Sequence, residues 1–196
     1  MNAIKFAIIG CAMITGIMRA DGPPNEAFND NELSRETQIR TAFIGLTPNQ
    51  PKETIDKNLK VVVSGGAITL QVLVDEMRNK NIAHSSFEGT QNMAWNGDHD
   101  GMAFNKVTLG DVAFDLIQYL VEGKIPIIYR KHFLLTKDNA KEWLSARKGK
   151  TIEQLQIEAA KTSLEKAAEL ESRNKTEYTQ GMVRFFKKRL EILGVR

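Results

Sequence analysis

The stretch Val61-Val62-Val63-Ser64-Gly65-Gly66-Ala67-Ile68-Thr69-Leu70-Gln71-Val72-Leu73-Val74-Asp75-Glu76-Met77 constrains the fold more than any other part of the chain. Burying a Val, Leu or Ile side chain stabilises by roughly 1.5–3 kcal/mol, so a run this apolar belongs inside and the remaining segments must pack around it. Two conformations compete for it. In one, Leu70, Leu73, Val74 and Met77 form the i, i+3, i+4, i+7 stripe of a helix, and Val61 to Val63 is a short buried strand that enters it through Ser64-Gly65-Gly66, the arrangement that cradles phosphate. In the other, Ile55, Leu59 and Val62 continue a helical stripe begun at Thr47-Pro48-Asn49-Gln50. There Thr47 caps, Pro48 fits the first helical position and Gln50 completes a capping box. The Thr-Pro-x-Gln signal is the more specific of the two, so the glycine pair is read as a break between helices.

At 196 residues the chain can bury a sizeable core as one domain, or one domain with an appendage. Cys11 is the single cysteine, which excludes an internal disulfide and a cysteine-based zinc site. The net charge of +3 hides a division: residues 1–129 carry 11 Lys+Arg and 15 Asp+Glu, or −4, whereas residues 130–196 carry 16 and 9, or +7. A basic C-terminal third suits an acidic partner, whether nucleic acid, a membrane surface or an acidic protein face; the alternative is a solvated helical surface.

Met1 to Ala20 supports three readings. A retained helix with Ile4, Ile8, Met13 and Ile17 inward ranks first. A secretory signal with Ala20 at its end ranks second, and Ile8-Ile9-Gly10-Cys11 also looks like a lipobox. The third is a Rossmann opening at Gly10 to Gly16, but Ala12 and Thr15 stand where its second and third glycines belong. Asp21-Gly22-Pro23-Pro24 ends the element, and Glu32 to Leu46 reads as a helix that stops near Gly45.

Between Ile82 and Val107 weak alternation around Asn96-Gly97-Asp98-His99-Asp100-Gly101 predicts a β-hairpin with a polar tip. Read as a Ca²⁺ loop, the tip offers Asn96, Asp98, Asp100 and Gly101, but Val107 replaces the bidentate carboxylate, so a simple turn is preferred. His99-Asp100 matches a dipeptide of metal-dependent phosphohydrolases without the other ligands. His84, His99 and His132 lack zinc spacing and read as surface or hydrogen-bonded residues. No metal, cofactor or catalytic constellation is assigned.

Thr108-Leu109-Gly110-Asp111 is a capping box that opens a helix running to Val121 and stopping at Gly123. Leu109, Val112, Ala113, Leu116 and Leu120 share one face and Phe114, Ile117 and Val121 another, so both must be buried. Ile125 to Leu135 is the clearest strand, expected to pair with the hairpin, with Pro126 confining its start to an edge. Asp138 to Arg147 is a helix with Trp143 and Leu144 inward. A long helix follows from the capping box Thr151-Ile152-Glu153-Gln154, lined by Ile152, Leu155, Ala159, Leu164 and Ala167. After a reversal at 172–176, Tyr178, Met182, Phe185, Phe186 and Leu193 form the inner stripe of the last helix. Arg184, Lys187 and Lys188 fall on its opposite face, with Glu191 beside them, and are the candidate partner-binding residues.

The fold class expected from these elements is a helix-rich α+β domain of six to eight helices with a small antiparallel sheet, the alternative being an α/β Rossmann-like fold. Residues 1–150 form a mixed helical core with the hairpin. Residues 151–196 form a basic helical hairpin packed on the same domain. A non-catalytic structural or adaptor protein ranks first. A nucleotide-binding α/β enzyme using Gly10 to Gly16 or Ser64 to Gly66 comes next, then an exported protein processed near Ala20. The expected partners are proteins, further copies of the chain in an oligomer, and nucleic acid met through the basic C-terminal third. No membrane span is expected, and the location would be cytoplasm or virion if Met1 to Ala20 is retained.

The stretch Ile17-Met18-Arg19-Ala20-Asp21-Gly22-Pro23-Pro24-Asn25-Glu26 resembles the helix-end loop of phage head-to-tail connector (neck) proteins. The order of N-terminal helices, β-hairpin excursion and basic helical C-terminus is similar too. That resemblance implies a ring of identical subunits around a DNA channel, with no catalytic residues carried over.

Overall fold

The computed structural model describes residues 30–87, 106–132 and 134–195. They form seven α-helices: α1 (Asp30–Ile44), α2 (Lys52–Val63), α3 (Ala67–Glu76), α4 (Leu109–Glu122), α5 (Ala140–Ser145), α6 (Ile152–Arg173) and α7 (Glu177–Ile192). Two 3-10 turns, Ser85–Phe87 and Ile127–His132, complete the regular structure of the described residues. No strand occurs among the described residues. A single antiparallel bridge joins Ile82 to Thr108, so across the described residues the α+β expectation and its Rossmann-like alternative both give way to a helical fold. The N-terminal segment through Gly16, the Ile17 to Glu26 stretch and the tip around Asp98 to Gly101 lie outside the described residues.

The central stretch folds as two helices. Val61 to Val63 is the last turn of α2, which removes the strand that a phosphate-cradling turn at Ser64 to Gly66 requires. The break is built by Gly66, whose φ of +67° is open to glycine and strained for other residues, and by Thr69, whose hydroxyl donates to the Val62 carbonyl at 2.6 Å. The start of α2 differs from the capping-box expectation. Pro51 is its N-cap, with no side-chain capping bond. Pro51 disfavours helical backbone at Gln50, so the helix cannot run from Thr47 and begins five residues later.

Neighbouring packing links α1 to α2 and α3, α3 to α4, α4 to α6, and α6 to α7. The main core contains Ile39, Phe43, Ile55, Val62, Leu73, Leu109, Ile117, Val121 and Leu135, and α6 contributes Leu155 and Ala159 from its first half. Both faces of α4 are buried as its sequence requires, with Leu116 only half-buried and Tyr119 exposed. Arg40 ties α1 to α3 through Asp75 and Glu76, both at 3.0 Å, and also pairs with Glu36 one turn away. No single helix among the described residues is long and apolar enough to cross a membrane.

The capping box at Thr108 forms as read: its hydroxyl accepts from the Asp111 N–H, and the Asp111 carboxylate accepts from the Thr108 N–H at 2.9 Å. Gly110 has a second role that the pattern alone does not reveal. Its N–H donates to the Asn79 carbonyl at 2.9 Å, and a Cβ placed on it would lie 2.6 Å from the Met77 carbonyl oxygen. The end of α3 can therefore rest directly on the first turn of α4. Gly110→Ala forces two backbones apart, and overpacking of this kind costs about 1–3 kcal/mol, against a helix-propensity gain of at most about 1 kcal/mol. Urea unfolding is expected to show a net loss; an unchanged or raised midpoint would contradict the close approach.

The stretch Ile125 to Leu135, expected as a strand, carries instead the 3-10 turn Ile127–His132, and no strand forms among its described residues. Side chains replace the missing strand partner. Glu122 accepts from the Leu134 N–H at 2.6 Å and the Leu135 N–H at 3.1 Å. Gln118 donates to the Leu135 carbonyl and Asn139 to the Leu134 carbonyl, both at 3.0 Å. Buried backbone polar groups must find partners, and here two residues of α4 and one from the next turn supply them.

Candidate interaction surface

The C-terminal hairpin positions the basic residues. The capping box of Thr151 and Gln154 fixes the start of α6. Asn174 caps its end, and Thr176 and Thr179 cap α7 reciprocally. Along α6 the buried residues Ala159, Ala160, Ser163 and Ala167 are small, which lets α7 come close. From α7, Thr179, Met182, Val183, Phe186 and Leu190 are buried. A second apolar cluster results, formed by Ala167, Met182, Val183 and Phe186 with Ile125 and Tyr129 from the turn before α5. Leu193 lies at the C-cap and Tyr178 and Phe185 are half-buried, so the expected inner stripe holds with Val183 and Leu190 added.

The opposite face of α7 is exposed and carries Arg184, Lys187 and Lys188, with Glu177 and Glu191 on the same side. These three cations take part in no ion pair among the described residues. Elsewhere Arg40, Lys52, Lys137, Arg147, Lys150 and Arg173 are each paired with a carboxylate. The structure thus brings the three predicted partner-binding residues together on one solvent-facing stripe, little more than one turn long and anchored by a packed inner face.

Aromatic residues border the stripe. The Tyr129 ring lies 5.4 Å from Tyr178 and 5.8 Å from Phe185, and its hydroxyl sits against Gly181 in the turn before Arg184. Tyr178 donates to the Ile128 carbonyl at 2.9 Å. Ile128 itself is 62% exposed. The turn that carries it also contains Arg130 and Lys131 in sequence.

Arg189 differs from its neighbours. It is half-buried, its guanidinium packs over Gly123 at the end of α4, and burial pushes its pKa down while Glu122 opposes the shift. Glu122 is the residue that sequence reasoning missed. The available signal was its spacing from Gln118, four residues apart on a helix whose two apolar faces are buried.

Neither His84 nor His132 belongs to a metal-ligating group among the described residues. His84 accepts the Ser86 N–H at 3.0 Å through Nδ1, which makes it a turn-stabilising residue. His132 lies 6.0 Å from the Tyr178 ring, and His99 is outside the described residues. No group of three or more metal-ligating side chains forms among the described residues. Compared with protein-family models, curated proteins and solved structures, the chain matches none.

Proposed function

We propose that the protein is a non-catalytic structural or adaptor subunit of a larger assembly, and that the exposed stripe Arg184, Lys187 and Lys188 is its contact with an acidic partner. The observation that carries this reading is the contrast within α7. One face is locked into the second core cluster, while the three cations on the other share one exposed stripe of the same helix and enter no ion pair among the described residues. Cations held on a rigid helix and not neutralised internally attract phosphate or carboxylate at the on-rate and affinity levels.

The finer reading is a phage virion head-to-tail connector subunit, arranged as a ring around DNA. Its support is the resemblance of Ile17 to Glu26 together with the +7 carried by residues 130–196.

The triple variant Arg184→Gln, Lys187→Gln, Lys188→Gln tests the contact, with duplex DNA as the probe. Surface substitutions of this type change stability by less than about 0.5 kcal/mol each, so folding should persist. DNA affinity should fall, and the slope of log K against log salt should become shallower by about 0.9 for each phosphate that the variant no longer neutralises. Unchanged affinity and slope would show that the stripe is only solvated.

A further inference from the structure

Glu122 closes a loop. Its side chain is 2% exposed, and its two carboxylate oxygens hold the Leu134 and Leu135 N–H groups against the end of α4. The span between carries the Ile127–His132 turn, which rests on α7 through the Tyr178 bond to Ile128 and the packing of Tyr129. Among the described residues, the charges that act on Glu122 are Arg189 from α7 and Lys166 from α6. The 134–135 segment offers only backbone N–H, and Gln118 beside it on α4 is neutral. Neither cation reaches ion-pair distance, and Glu122 enters no salt bridge among the described residues.

We propose that Glu122 is a proton-dependent clasp: in its neutral form it holds Leu134 and Leu135 to α4 and pins the Ile127–His132 turn on α7, and its ionisation loosens that loop. A buried carboxylate without an ion-pair partner is disfavoured when charged, and opening the loop returns it to water. A protonated carboxyl keeps acceptor capacity on both oxygens, so the two backbone bonds survive protonation. Burial pushes the carboxyl up to about 7, even though the two backbone bonds, Arg189 and Lys166 pull it down. The closed form therefore binds the proton more tightly than the open form. Linkage then makes the opening constant rise about tenfold per pH unit from the ordinary carboxyl value of 4.5 to about 7, and level off above.

Amide hydrogen exchange of the full chain, followed by NMR from pH 5 to 9 and corrected for intrinsic rates, reads this directly. Protection of Leu134 and Leu135 is expected to fall roughly 40-fold between pH 5 and 7 and then flatten, while Ile117 inside α4 stays more protected throughout. In Arg189→Met the fall should continue past pH 7, because a cation that favours the charged form is gone. In Glu122→Gln the protection should not vary with pH. Flat protection in the natural chain, or Leu134 and Leu135 exchanging at the Ile117 rate at every pH, would overturn the clasp. Should Glu122→Gln fail to fold, the natural chain and Arg189→Met decide it.

Discussion

Phe186→Ala is expected to lower the unfolding free energy by about 3–5 kcal/mol, the range for removing a fully buried phenylalanine. Phe186 is 2% exposed. It sits at the centre of the second cluster, with Met182 and Val183 on its own helix, Ala167 from α6, and Ile125 and Tyr129 from the turn. Its ring meets Phe185 edge-on at a centroid distance of 5.1 Å. Truncation leaves a void among the residues of this cluster, and the lost packing adds to the lost burial. The loss should show as a lower urea midpoint, and Phe186→Leu should recover most of it. A loss below about 1 kcal/mol would mean that α7 is not held to α6 by this cluster. The basic stripe would then lack the rigid backing on which its proposed role depends.

A second large effect concerns pH. Glu122 has its carboxyl raised from 4.5 to about 7, chiefly by burial. A raised folded-state value means that the native chain binds the proton more tightly than the unfolded chain. The associated stability is fully present below 4.5 and is lost as pH rises through about 7. The difference between the two values corresponds to about 3 kcal/mol. Denaturant unfolding across this window should therefore show stability falling toward neutral pH in the natural chain. Other carboxylates act in the opposite sense: Asp111, though burial pushes it up, is held net below its ordinary value by Lys137 and by Thr108. The diagnostic quantity is thus the difference from Glu122→Gln, in which the Glu122 contribution is absent. Identical pH profiles for the two proteins would contradict the assignment.

Local signals in the sequence proved legible where the physics is local. The boxes at Thr108 and Thr151 form because each needs only a side chain and an N–H three residues away, and both appear in the structure. The face of α7 follows from helical periodicity, so Arg184, Lys187 and Lys188 could be grouped from their spacing alone. The pattern failed where two local rules competed or where a distant partner decided. At Thr47 the capping pattern was outweighed by Pro51, whose effect on the preceding residue sets the true start of α2. At Ile125 to Leu135 the apolar alternation resembled a strand, but strand identity requires a neighbour. The residues that satisfy this backbone are Glu122 and Gln118 on α4, with Asn139 beyond it. Those bonds depend on how the intervening turn folds back, which no window of local sequence contains. The cap of α7 was missed for a simpler reason: a threonine at Thr179 takes the place that glutamate or glutamine fills in the usual box.

Sedimentation of the full chain, alone and with a short duplex DNA, tests the assembly reading most directly. A subunit of a larger assembly should sediment as a particle of several 22.0 kDa chains or gain mass on adding DNA at low salt, and the triple glutamine variant should lose the DNA-dependent part. A single 22.0 kDa species at every concentration and salt, with and without DNA, would contradict it.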